Sequence, residues 1–98
     1  MSYQENRSEH QRICILQMLD QEPDYSLNDS MIYDDLKRFA LSCSRDTVLV
    51  LLAWLEEQGL ISIERLGRSH IARITQRGQD VAHGLITVPG VKRPSPGA

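Results

Sequence analysis

Residues 44–78, SRDTVLVLLAWLEEQGLISIERLGRSHIARITQRG, form the stretch that decides the fold. Ser44 has the side chain of a helix N-cap, and Gly59 is placed where a helix stops in a left-handed residue. The helical repeat between them brings four apolar residues onto one face, namely Val48, Leu51, Leu52 and Leu55. The pattern predicts an amphipathic helix whose apolar face fills the core.

A β-hairpin and a last helix are predicted after this helix. Residues 60–66 alternate well enough for a strand, residues 67–69 (Gly-Arg-Ser) make a tight turn, and residues 70–74 return antiparallel. Thr75 is suited to cap a fourth helix that ends near Gly84. Helix, hairpin and helix therefore follow one another without a long linker.

Two further helices are predicted upstream. The first runs from Ser8 to Leu19 and ends before Pro23, because proline disfavours a helical conformation in the residue before it. The second runs from Leu27, capped by Ser26, to about residue 40, with a short extended piece at Tyr25 before it. The predicted fold is mainly α with a small β-hairpin, an α+β class with the order α-α-α-β-β-α.

The length and composition indicate one domain. A chain of 98 residues, 41% hydrophobic and 24% charged, is ordinary for a globular protein with one modest core. We expect a flexible N-terminus at 1–7, a domain at 8–84 and an extended tail rich in Pro and Gly at 85–98. No apolar run approaches the ~20 residues of a membrane span. Since Cys14 and Cys43 lack a secretory context, we expect reduced thiols and a cytoplasmic protein.

Charge is distributed unevenly along the chain, although the net charge is only −2. Residues 1–44 hold four Lys/Arg against eight Asp/Glu, whereas residues 65–98 hold six Lys/Arg against one Asp. This asymmetry favours a basic face that meets an anion.

Two parts of the chain carry a family resemblance. The helix end at 52–61 (LAWLEEQGLI) and the TQRG at 75–78 resemble the winged helix-turn-helix regulators of the MarR, ArsR and PadR type. The YSLN at 25–28, the Trp54 helix and the VPGVKRPSP at 88–96 resemble small winged-helix proteins of Mu-like phages and prophages. The resemblance implies a winged-helix fold in a phage setting, and it implies no particular activity.

The first functional hypothesis is double-stranded DNA binding by a phage or prophage transcription regulator. A helix N-terminus offers free N–H groups to phosphate, and basic wings and arms commonly contact the DNA backbone or minor groove. The candidate DNA-binding residues lie at the third-helix N-terminus, on the hairpin and in the tail: Arg45, Thr47, Arg65, Arg68, His70, Arg73, Lys92 and Arg93.

The alternative hypothesis is a winged-helix module for protein–protein interaction or homodimerisation. The outward face of the third helix carries Asp46 and Glu57 with apolar residues between them, and carboxylates repel phosphates. An exposed apolar stripe marks a partner surface, here Leu49, Val50 and Trp54. In a competing interpretation, Trp54 packs beneath the hairpin or the tail, and Leu49 packs against the second helix.

Catalysis, cofactors and metals are not indicated by any motif. The three histidines fall on separate predicted elements, and the glycines form no phosphate-binding loop. His10 and Cys14 are one helical turn apart, but two ligands do not make a closed metal site. We therefore expect no enzyme, no metal and no small-molecule ligand.

Overall fold

The computed structural model describes residues 2–94 as four helices and one three-stranded antiparallel sheet. In chain order the elements are α1 (Tyr3–Gln21), β1 (Ser26–Asn28), α2 (Asp29–Arg38), α3 (Arg45–Glu57), β2 (Ile61–Leu66), β3 (Ser69–Ile74) and α4 (Gln76–Ala82). The predicted α+β class is confirmed. The order contains one more strand than the predicted α-α-α-β-β-α.

The sheet has the order β1-β3-β2, so the strand nearest the N-terminus lies at one edge. β2 and β3 form the predicted hairpin, from the pair Ile61–Ile74 to the pair Leu66–Ser69 at the turn. β1 pairs with β3 on the other side, with Ser26 opposite Arg73.

The pairing of β1 corrects the predicted start of the second helix. Leu27 was expected to begin that helix, but it is buried in the strand, where its side chain enters the core. Asn28 rather than Ser26 is the N-cap, because its Oδ1 accepts the Met31 N–H at 2.8 Å.

The first helix is longer than predicted. It begins at Tyr3, since the Ser2 side chain accepts the Glu5 N–H at 3.0 Å, and the expected flexible residues 3–7 form its first turns. The Arg7 guanidinium donates to the Ser42 carbonyl at 2.7 Å, which ties these turns to the segment between α2 and α3. A second N-cap upstream of Ser8 therefore adds about a turn and a half to the helix.

The core lies between the helices and the sheet. The predicted apolar face of α3 is confirmed, and apolar residues of α1 and α2 meet it. Fully buried side chains include Ile15, Leu16, Leu19, Ile32, Leu36, Val48, Leu52, Leu55 and Leu60. Within residues 2–94 no helix is both long enough and apolar enough to span a membrane.

Gly78 explains the TQRG sequence at the start of α4. Its N–H donates to the Thr75 Oγ1 at 3.0 Å, and that hydroxyl donates to the Gly59 carbonyl at 2.7 Å. A Cβ on Gly78 would collide with the Leu60 carbonyl oxygen. A residue without a side chain is favoured there because the first turn of α4 packs directly against the backbone of Leu60, which lies between α3 and β2.

The expected extended tail folds back onto the domain. In residues 85–94 the side chains of Val88 and Val91 are buried, and the Lys92 N–H donates to the Glu9 carbonyl at 3.2 Å. Residues 95–98 of the predicted tail lie outside the described residues. The residues from 85 to 94 are called the C-terminal loop below.

Candidate nucleic-acid interface

A groove lies between α2, the first turns of α3 and the turn of the β2–β3 hairpin. It encloses about 480 Å³ and is called the hairpin groove. Its walls include Asp29, Ser30, Tyr33, Arg45, Leu49 and Arg68. The fold therefore brings two of the predicted DNA-binding arginines, Arg45 and Arg68, to the same depression.

Arg45 is positioned by contacts to α2. Its guanidinium carbon lies 4.5 Å from the centroid of the Tyr33 ring, and its Nη1 lies 3.4 Å from the Ser30 Oγ. A guanidinium stacked on an aromatic ring keeps N–H groups at its edge for an anion. The side chain is still exposed, so it is both oriented and accessible.

Lys37 was missed by the sequence interpretation. Its Nζ lies 4.2 Å from the centroid of the same Tyr33 ring, so two cations share one aromatic side chain. Tyr33 and Lys37 are one helical turn apart, and this spacing was the available signal. The contact of Arg45 with this pair depends on how α2 crosses α3, which no local pattern indicates.

The N-terminus of α3 is capped as predicted. The Ser44 Oγ accepts the Thr47 N–H at 3.0 Å and lies 2.9 Å from the Thr47 Oγ1. The Thr47 hydroxyl is therefore part of the cap, and other N–H groups of the first turn have no partner within the helix. Asp46 in the same turn places a negative charge beside them.

Arg68 is exposed at the hairpin turn, next to Gly67. Gly67 has φ +60°, a left-handed conformation that suits a tight turn. The turn places Arg68 in the lining of the hairpin groove, together with Arg45. His70 is half-buried nearby on β3, with its Nδ1 3.5 Å from the Asp29 Oδ2.

Two other predicted basic residues have partners within the chain. The Arg65 Nη2 lies 3.3 Å from the Glu56 Oε1, and the Arg73 Nη1 donates to the Asp24 carbonyl at 2.7 Å. Arg65 is therefore partly neutralised, and Arg73 fastens the loop before β1 to the sheet.

The basic pair in the C-terminal loop lies elsewhere. Lys92 and Arg93 are exposed and border a depression of about 280 Å³ beside His10 and Cys14 of α1. That depression shares no lining residue with the hairpin groove. The predicted DNA-binding set is thus split among separate surfaces.

The three predicted interface residues also have different environments. Val50 is 67% exposed, whereas Leu49 is half-buried and borders the hairpin groove. Trp54 is half-buried and packs against the C-terminal loop, because the Arg12 guanidinium lies 4.0 Å from its ring and Gly90 lies against its edge. Of the three, Val50 is the one that solvent reaches most freely.

Both cysteines are free thiols. Burial raises the pKa of the Cys14 thiol to about 11, and the nearby Asp35 charge acts in the same direction. Burial also raises the pKa of Cys43, although the charge of Arg7 opposes this rise. Neither environment favours the thiolate that nucleophilic or metal-binding cysteines require.

Comparison with known proteins places the chain among phage-related sequences. It is 40% identical over 91 residues to the uncharacterized protein gp26 of Escherichia phage Mu, covering 93% of this chain and 94% of that protein. It is 45% identical over 78 residues to an uncharacterized protein of Haemophilus influenzae, covering 79% of this chain and 76% of that protein. No protein-family model matches the chain.

The match to phage Mu gp26 confirms the expected relationship to a Mu phage protein. The resemblance to MarR, ArsR and PadR regulators stays a prediction. With 40% identity across nearly the whole of both proteins, the chain belongs to the family of phage Mu gp26.

Proposed function

We propose that this chain is a winged-helix protein that binds double-stranded DNA through its backbone phosphates. In this proposal α2 and α3 act as the helix-turn-helix pair and the β2–β3 hairpin acts as the wing. A small DNA-binding protein of this kind fits a transcription-regulating role in a phage or prophage.

The observation that carries the proposal is that Arg45 and Arg68 line the same groove, the hairpin groove. Arg45 is the first residue of α3, whose first turn has N–H groups without helical partners, and Arg68 lines the same groove. Two arginines beside a helix N-terminus match the geometry and charge of a phosphate. Lys37 beside Tyr33 adds a third cation on the same side of α2.

The outward face of α3 argues for little base-specific recognition. Asp46, Ala53 and Glu57 are exposed there, and none of them donates hydrogen bonds to base edges. We therefore expect the affinity to come from phosphates and to depend strongly on salt. DNA binding of this type needs no catalytic group or cofactor. In this proposal the protein acts in the host cytoplasm, where the DNA is.

The test is fluorescence anisotropy of labelled random duplex DNA at low and at physiological salt. We expect Arg68→Ala to weaken DNA binding about five- to tenfold. The plot of log K against the logarithm of the salt concentration should also become less steep by about one unit, as expected for the loss of one phosphate contact. The matched control is Arg38→Ala. Arg38 is also exposed, and its Nη1 lies 3.7 Å from the Asp35 Oδ1 at the far end of α2.

The control distinguishes a site from a general charge effect, since both variants remove one positive charge. Equal loss of affinity in the two variants would contradict a site at the hairpin groove. No binding by the unmodified protein at low salt would contradict DNA binding altogether. The alternative function, a protein-interaction module without DNA binding, would then be favoured by the exposed Val50.

A further inference from the structure

A second groove lies on the opposite flank of α3, where α1 and the C-terminal loop approach it. It encloses about 440 Å³, and its walls include Glu5, Ser8, Glu9, Arg12, Trp54 and Gly90. This depression is called the tryptophan groove. It shares no lining residue with the hairpin groove, so an inference about its ligand does not rest on DNA binding.

Trp54 is held in one orientation within this groove. The Arg12 guanidinium covers its ring at 4.0 Å, and the Arg12 Nη1 donates to the Gly90 carbonyl at 2.8 Å. Gly90 has φ +97°, and a Cβ there would lie 2.7 Å from the Trp54 Cζ2. The glycine lets the loop backbone lie against the indole, and a fixed aromatic side chain loses little entropy when a partner binds.

Val50 does not line this groove, but it is an exposed apolar residue one helical turn before Trp54 on α3. It is 67% exposed, and it precedes Trp54 by four residues. With about 100° per residue, the two side chains are about 40° apart around the α3 axis. Val50 and the half-buried Trp54 therefore form one apolar strip at the edge of the groove.

The rim of the groove is acidic. Glu5 and Glu9 are one turn apart on the α1 wall, and the exposed Asp46 and Glu57 lie on α3 along one side of the apolar strip. Arg12 is the one basic residue that lines the groove among residues 2–94, and it is already engaged with Trp54 and the loop. This charge repels phosphates and attracts cations.

We propose that the tryptophan groove is a docking site for a basic amphipathic helix of a protein partner. An apolar side chain of the partner packs on Trp54 and Val50, and its Lys or Arg residues pair with Glu5 and Glu9. An acidic rim around an apolar strip selects this chemistry over an acidic or uncharged helix, because the partner's cations offset the carboxylates.

The test uses two synthetic 18-residue helical peptides that share one leucine face. One carries lysines on its polar face and the other carries glutamates. Trp54 is the single tryptophan of the chain, so its emission reports directly on the groove. We expect saturable binding of the lysine peptide with a shift of the Trp54 emission, and no binding of the glutamate peptide.

Two variants test the residues that carry the proposal. We expect Val50→Ser, and the double variant Glu5→Gln/Glu9→Gln, each to weaken binding of the lysine peptide roughly tenfold, as truncation of interface anchors does. The double variant Asp34→Asn/Glu64→Gln removes two exposed carboxylates outside the groove and is the matched control. Because Val50 is exposed, circular dichroism of Val50→Ser should match that of the unmodified protein.

Several results would overturn the proposal. These are equal binding of both peptides, no emission change with the lysine peptide up to about 1 mM, or equal effects of the two double variants. Sedimentation of the protein alone gives a further outcome. A concentration-dependent dimer that Val50→Ser abolishes would assign the surface to a second copy of the chain instead.

Discussion

At the scale of single residues, three helices end with the same backbone motif. After α3, the Gly59 N–H donates to the Glu56 carbonyl and the Leu60 N–H to the Leu55 carbonyl. α4 ends in the same way at Gly84. This Schellman motif places its central residue in the left-handed region, where glycine is preferred.

The helix α2 ends in the same motif with an alanine in the glycine position. The Ala40 N–H donates to the Lys37 carbonyl at 3.1 Å, and the Leu41 N–H donates to the Leu36 carbonyl at 2.9 Å. Ala40 has φ +59°, a conformation that its Cβ disfavours. The sequence interpretation extended the helix to about this residue because Phe39 and Ala40 continue its apolar repeat.

We therefore predict that Ala40→Gly stabilises the protein by about 1 kcal/mol, because it removes the steric cost of a left-handed alanine. The measurement is the free energy of unfolding in urea, followed by the emission of Trp54.

The reciprocal change at the end of α3 is the control. Gly59 has φ +75°, and a Cβ there would have only the Arg77 Cδ within 4 Å, at the ordinary contact distance of 3.8 Å. Gly59→Ala should therefore lose about 1 kcal/mol through backbone strain alone. A loss of stability in both variants would contradict this account of Ala40.

At the scale of elements, the C-terminal loop is the largest departure from the sequence interpretation. Pro89, Gly90 and Pro94 are typical of an extended tail, but the same residues also suit a loop that folds back. The buried Val88 and Val91 stabilise the folded-back form, because their side chains leave water. The loop thereby supplies one wall of the tryptophan groove.

We predict that Val91→Ala destabilises the protein by about 1–2 kcal/mol, through lost burial and the cavity left behind. The Trp54 emission of the folded state should also move to longer wavelength, because the loop covers the indole less completely. Urea unfolding and emission spectra measure the two effects.

Leu85→Ala is the matched control within the same loop. Leu85 is 72% exposed, so its truncation removes little buried area. If the two variants change stability equally, the loop does not contribute through burial of Val91.

At the scale of the whole molecule, α3 separates two surfaces of opposite charge. The flank with Arg45 faces the hairpin groove, and the flank with Trp54 faces the acidic tryptophan groove. The charge asymmetry of the sequence indicated a basic face, but intrachain contacts of Arg65 and Arg73 reduce it to a smaller area.

This arrangement predicts that the two surfaces act independently. Val50→Ser should leave DNA affinity within about twofold of the unmodified protein, and Arg68→Ala should leave the binding of the lysine peptide within the same range, as for sites without shared partners. In each of the two titrations, the double variant Val50→Ser/Arg68→Ala should change the binding free energy by the sum of the changes that the two single variants cause. A departure from additivity would indicate that the grooves are coupled or that one ligand covers both.

The sequence by itself determined the helices, the hairpin, the caps at Ser44 and Thr75 and the apolar face of α3. These features depend on residues close together in the chain, where periodicity, capping and turn chemistry act locally. The relationship to Mu-like phage proteins was also readable from local motifs.

The tertiary structure alone decided which charged residues are accessible and where residues 3–7 and 85–94 pack. Arg73 contacts Asp24 across 49 positions, and Arg12 contacts Gly90 across 78 positions. β1 forms a strand because it pairs with the edge of β3. Trp54 is half-buried because the C-terminal loop packs back against α1 and α3. Contacts between distant residues depend on the packing of the whole chain, so they leave no periodic signal in the sequence.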